Sequence, residues 1–139
     1  MQVVLNLREK ELEDKQMEMA KILAALNEQR AKLQSIITAQ QQNMANLENL
    51  GTSDNIDIPQ IEMHRNYGVK LANDAKNQER IIQNTETILV KKQQEVLEAH
   101  QKVEVLKKLK EKQEKDFYKE FLLSEIKEID DITSARFRF

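Results

Sequence analysis

His64 and His100 are the side chains of this sequence best suited to moving protons or holding a metal, and they stand far apart in it. Neither has a second ligand four residues away, the spacing that puts two imidazoles on one helical face around a zinc ion. The chain has no cysteine, so it offers no thiolate nucleophile, no sulfur ligand and no disulfide, a composition that suits a reducing cytoplasm. Its 24 Asp and Glu alternate closely with 22 Lys and Arg, the pattern of solvated helical faces rather than of an acid and a base paired in a cleft. Gly51 and Gly68 are isolated and no Gly-Lys-Ser or Gly-Lys-Thr follows them, so no loop is built to cradle phosphate. These residues predict a protein that is not an enzyme, takes no cofactor and no metal, and carries both histidines on its surface.

The elements must then be long helices. Charged residues make up 33% of the chain and aromatic residues 4%, with two Gly, one Pro and no Trp. That is too little bulky apolar volume for the centre of a two-layer domain, but enough for a narrow seam of Leu and Ile. An elongated all-α chain is expected. The net charge of −2 argues against nucleic acid as a partner, because phosphate binding needs a basic excess. The longest apolar runs, such as Phe121-Leu122-Leu123, are far too short to insert into a membrane. Other proteins are the expected partners.

One passage interrupts the helical pattern: GTSDNIDIP, Gly51 to Pro59. Gly51 suits a helix C-cap, Pro59 suits the first turn of a following helix, and Ser53, Asp54, Asn55 and Asp57 supply turn and capping oxygens. The reading is a single coiled-coil domain, 1–139, with helix 1 over about 2–50, a loop over 51–58, helix 2 over about 59–134 and a frayed tail over 135–139. Gly68 marks 59–68 as the weak end of helix 2, since an interior glycine costs a helix about 0.5–1 kcal/mol relative to alanine.

Steps of seven from Leu5 reach Leu12, Met19, Leu26, Leu33, Gln40 and Leu47, with Ile22, Leu23, Ile36, Ile37 and Leu50 beside them. In helix 2 the same step links Ala75, Ile82, Leu89, Val96 and Val103, while the companion row reads Gln78, Thr85, Lys92, Ala99 and Leu106. Sustained heptads predict a coiled coil; the half-polar row leaves open an imperfect seam or a seam shared with a second partner. A short connection favours an antiparallel hairpin. Leu33 then meets Ala75, Leu26 meets Ile82, Met19 meets Leu89, Leu12 meets Val96 and Leu5 meets Val103. Helix 1 runs out near residue 107, and the rest of helix 2 projects alone for about 36–45 Å.

That overhang is polarised along its length. Residues 107–115 hold five Lys against two Glu, and residues 125–131 hold two Glu and two Asp against one Lys. Glu104 with Lys108 and Glu111 with Lys115 are i,i+4 pairs in the favourable order, each contributing about 0.2–0.5 kcal/mol. Phe117, Phe121, Leu122, Ile126, Ile129 and Ile132 or Thr133 recur every three or four residues along one broad face that seeks burial. Arg136-Phe-Arg-Phe139 adds two cations and two rings.

Val3-Val-Leu-Asn-Leu-Arg-Glu-Lys10 opening a helix, Asn66-Tyr67 with Leu71 after a short loop, and Leu106-Lys-Lys-Leu-Lys-Glu-Lys112 follow one another in the order of the FliJ family. Phe117-Tyr118, Glu125 and Ile129-Asp-Asp-Ile132 before Arg136-Phe137 extend the match, and over essentially its whole length the sequence resembles that family. The resemblance implies a flagellar type III export protein, related to injectisome stalk proteins, whose antiparallel coiled coil is similar to the central stalk of rotary ATPases. It implies that the open end of the hairpin enters the pore of a hexameric flagellar export ATPase, through Lys107, Lys108, Lys110, Lys112, Lys115, Phe117, Phe121, Leu122, Ile126 and Ile129. It implies a membrane export gate protein as a second partner, met near the loop by Ile36, Tyr67, Leu71 and Gln78, with Tyr67 and Leu71 standing exposed. Export chaperones are a third class of partner, and the implied place is the cytoplasmic face of the membrane at the flagellar base. Ala39 and Asn43 stand where the family's pattern implies rings on helix 1. The alternative is a structural coiled-coil spacer or homo-oligomerising scaffold. A rotary ATPase central stalk subunit would need a further globular domain.

Overall fold

A computed structural model describes residues 1–136. The fold is all-α: helix α1 spans Gln2–Thr52 and helix α2 spans Ile58–Arg136, joined by a single short turn as a helical hairpin. No strand occurs among the described residues.

The turn, residues 53–57, is shorter than the expected loop. Gly51 lies inside the last turn of α1 and has no positive φ, so it is not the left-handed cap its type suggests. Asp57 caps α2: its Oδ1 accepts from the Gln60 amide at 3.3 Å, and its carbonyl accepts from Ile61 N at 3.1 Å. Those bonds satisfy two of the amides that a helix start leaves without partners, and Pro59, which has no N–H, falls in the same first turn. At the far end α2 continues to Arg136, past the expected start of the tail. Phe137, Arg138 and Phe139 lie outside the described residues.

The contacts divide the chain into two units, Lys15–Glu95 and Met1–Asp14 with the stretch from Val96 onward. In the first, α1 and α2 run antiparallel: Lys15 meets Glu95, Glu18 meets Lys92, Arg30 meets Glu86 and Asn43 meets His64. Leu26 and Ile82 are its buried α1 and α2 seam positions, with Leu71 near the turn. Met19, Leu33, Leu47, Ala75 and Leu89 are half-buried, as a two-helix seam open to water on both sides requires. Leu23, expected beside the seam, is exposed.

In the second unit Leu5 and Val103 are buried and Leu12, Val96 and Leu106 half-buried. Lys110 Nζ donates to the Oε1 of Gln2, the first residue of α1. Beyond Lys110 every described residue is exposed. The overhang therefore starts three residues later than the heptad arithmetic places it.

Candidate functional site

Two surfaces carry the residues singled out from the sequence. The first is the α2 segment from Lys107 onward. Lys107, Lys108, Lys112 and Lys115 are exposed on it, while Lys110 is half-buried against Gln2. Phe117 is 72% exposed, and Tyr118, Phe121, Leu122, Leu123, Ile126, Ile129 and Ile132 all show large apolar area to solvent. Each residue of a helix advances about 100° around the axis, so all of these except Leu123 fall within about half of the helix circumference. Val3, Val4 and Leu7 of the same unit are exposed as well. The helical frame here is held by backbone hydrogen bonds and by local pairs such as Glu104 with Lys107 at 4.0 Å, one residue before the expected Lys108.

The second surface lies near the turn, and here the structure corrects the reading. Tyr67 is 44% exposed as expected, but Leu71 is only 5% exposed and faces the seam. Gln78 is 4% exposed, and its Nε2 donates to the Gln29 carbonyl at 2.9 Å. Ile36 is half-buried. Tyr67 thus presents a ring outward, whereas Leu71 and Gln78 hold the helix that carries it. Met44 and Met63 add exposed apolar area that the sequence reading did not single out. A groove of about 430 Å³ opens between Ile37, Gln40, Asn43, Met44, Leu47 and Gly68.

Two of its lining residues, Asn43 and Gly68, mark a close approach of the helices. Asn43, buried on α1, donates from Nδ2 to the His64 carbonyl at 2.9 Å, and its Oδ1 lies 2.9 Å from His64 Nδ1, which donates to it. A Cβ on Gly68, one helical turn further along α2, would stand 3.2 Å from that Nδ2. Gly68 is therefore a point of tight helix packing inside a continuous α2, not the weak end or kink its type suggests. His64 is a half-buried seam residue rather than a surface one; His100 is exposed.

The polar companion row of α2 has a matching row on α1. Asn43 faces His64, Gln29 faces Gln78, and at the next step of fourteen Lys15 and Lys92 meet Glu18 and Glu95. The four charges close a ring: Lys92 Nζ lies 2.7 Å from both Glu18 and Glu95, Lys15 Nζ lies 3.3 Å from Glu95 and 4.0 Å from Glu18. Hydrogen bonding from Lys92 holds the Glu18 and Glu95 carboxyls below the usual carboxylate range. The hydrogen bonds that Lys92 donates to Glu18 and then to Glu95 push its ammonium above the usual lysine range. Polar layers every second heptad pin a register, since slipping the helices would leave buried donors and acceptors unpaired. The Gln29 Oε1 is already buried without a partner.

No group of three or more His, Cys, Asp or Glu among the described residues is placed to hold a metal ion. No helix among them is long and apolar enough to cross a membrane. The arrangement is that of a two-helix coiled-coil protein whose polar seam fixes register and whose apolar surplus faces outward. The chain belongs to the flagellar FliJ protein family, whose family model matches residues 1–138. It is accordingly a flagellar export-related protein of a non-catalytic family. Comparison with the curated proteins and with the solved structures returns no match.

Proposed function

We propose that this protein is an export accessory stalk, which promotes assembly and activity of the hexameric flagellar export ATPase and links it to the membrane export gate. The observation that carries this reading is the bare apolar face from Phe117 to Ile132, preceded by exposed lysines. A large apolar stripe with no cover in its own unit is an interaction surface, and a helix-in-groove or helix-in-pore contact is what a rigid, slender element of this kind makes. The ATPase contact is assigned to Lys107, Lys108, Lys110, Lys112, Lys115, Phe117, Phe121, Leu122, Ile126 and Ile129, helped by the first turns of α1, where Val3, Val4 and Leu7 are exposed. Tyr67 and Ile36, on helices held in place by Leu71 and Gln78, are assigned to the export gate. Export chaperones are further candidates for these surfaces, and the working place is the cytoplasmic face of the membrane at the flagellar base.

Deleting residues 117–139 tests the assignment. The deletion leaves the seam from Leu5 to Val103 untouched, so circular dichroism should retain most of the helicity while stimulation of the export ATPase is lost. Full stimulation by the truncated protein would overturn it.

A further inference from the structure

We infer that the overhang of α2 is also a self-pairing element, and that two copies of this chain join through it in antiparallel orientation. The argument starts from charge order. The segment runs from lysine-rich, residues 107–115, to acidic, residues 125–131, in the same direction in every copy. A parallel pair would set lysine on lysine and carboxylate on carboxylate. An antiparallel pair with its two-fold axis near Glu120 sets each basic stretch on the other copy's acidic one. In that register Lys115 lies level with Glu125 close to the contact line, while Lys110 comes close to Glu128 on one flank and Lys112 close to Asp130 on the other, as helical periodicity dictates.

The apolar face falls at the centre of the same arrangement. Tyr118 comes opposite Leu122 in both halves, with Phe117 and Phe121 along one edge; all four are exposed. The axis thus places Tyr118 and Leu122 where water is excluded best, the Phe117 and Phe121 rings beside them, and the ion pairs where they steer and orient, the distribution found in protein interfaces. Within its own unit nothing competes for this face, because α1 has ended at Gln2 and every described residue beyond Lys110 is exposed. The paired segment covers about 25 residues, roughly 37 Å of helix at 1.5 Å per residue. This self-pairing does not depend on the ATPase reading; if both hold, the two occupants of the face exclude one another, and the dimer is a form in which the stripe is covered until the ATPase takes it.

The test is sedimentation equilibrium of the full chain across the micromolar range, at about 0.05 and about 0.5 M salt, which bracket strong and weak screening. A monomer–dimer equilibrium that weakens at the higher salt is expected. The triple variant Lys110→Glu, Lys112→Glu, Lys115→Glu should weaken self-association by about tenfold or more, and so should Glu125→Lys, Glu128→Lys, Asp130→Lys. Mixing the two variants should restore a dimer, since each then finds its complement in the other. Because the chain has no cysteine, a single Leu122→Cys provides an independent readout: two thiols close to the two-fold axis should cross-link into a covalent dimer. The substituted positions other than Lys110 are exposed, and unchanged helicity of each variant confirms that the fold is intact. A wild-type protein that stays monomeric throughout, assembly beyond two copies, or a mixture that does not associate would overturn the proposal, and the first of these leaves the face to a partner of different chemistry.

Discussion

Asn43 and Gly68 face each other across the two helices so closely that a methyl group added to Gly68 would come 3.2 Å from the Asn43 Nδ2. Asn43 cannot easily retreat, because the same amide bonds His64 through both its oxygen and its nitrogen. The two glycines of the chain should therefore respond in opposite ways to one substitution. At Gly51 nothing lies within 4 Å and φ is not positive, so Gly51→Ala should stabilise the fold by about 0.5–1 kcal/mol through helix propensity alone. At Gly68 the same gain is opposed by crowding, and Gly68→Ala should be neutral or destabilising. Asn43→Ala in the Gly68→Ala background should recover part of the loss, which thermal denaturation of the single and double variants will measure. A Gly68→Ala gain equal to that at Gly51 would show that the close approach is not tight.

Gln29 places an unpartnered Oε1 in the seam beside Gln78. Removing a buried acceptor that has no donor recovers desolvation free energy of about 1–3 kcal/mol, the range for an unsatisfied buried group. Gln29→Leu should raise the midpoint of urea denaturation, and Gln29→Leu with Gln78→Leu should raise it further. The cost should appear as register. Cysteines at Met19 and Leu89, which cross-link within one chain if the helices are held in place, should do so less completely in the double leucine variant. A lower midpoint for Gln29→Leu would refute the first expectation.

The Lys15, Glu18, Lys92, Glu95 ring gives the fold a defined pH window. Glu18 and Glu95 have folded values below their ordinary one, so their contribution is present above the unfolded carboxylate pKa, about 4.3, and is lost as pH falls through the depressed folded values. Lys92 is shifted upward, so its contribution is present below the unfolded lysine pKa, about 10.4, and is lost as pH rises through the folded value. Denaturation midpoints of wild type and Lys92→Met should therefore differ most on the plateau between about pH 5 and 10 and converge in acid. A difference that persists unchanged at pH 2 would remove the ring as its cause.

Tyr67 and Leu71 separate docking from folding. Truncating exposed Tyr67 should leave stability almost unchanged, within about 0.5 kcal/mol, while weakening binding to the export gate. Leu71 is buried, and Leu71→Ala should cost about 2–3 kcal/mol and reduce every activity together. If Tyr67→Ala bound the gate as tightly as wild type, the loop-half assignment would fail.

The sequence by itself determined the two helices, the place of the turn, the antiparallel hairpin, Leu5, Leu26, Ile82 and Val103 as buried seam positions, and the absence of cover for Phe117 to Ile132. Heptad spacing and one Gly-to-Pro interruption are local signals, and the length of α1 sets arithmetically where α2 loses its partner. Gln78, Thr85 and Lys92 were legible as a polar row, but not what they meet. Gln29 becomes the partner of Gln78, and Glu18 that of Lys92, only once a register puts residues dozens apart in sequence on facing turns. The burial of Leu71, the inward turn of His64 and the close approach at Gly68 were decided there too. A side chain's exposure depends on which residue stands opposite, and glycine reads as weakness along one helix but as proximity between two.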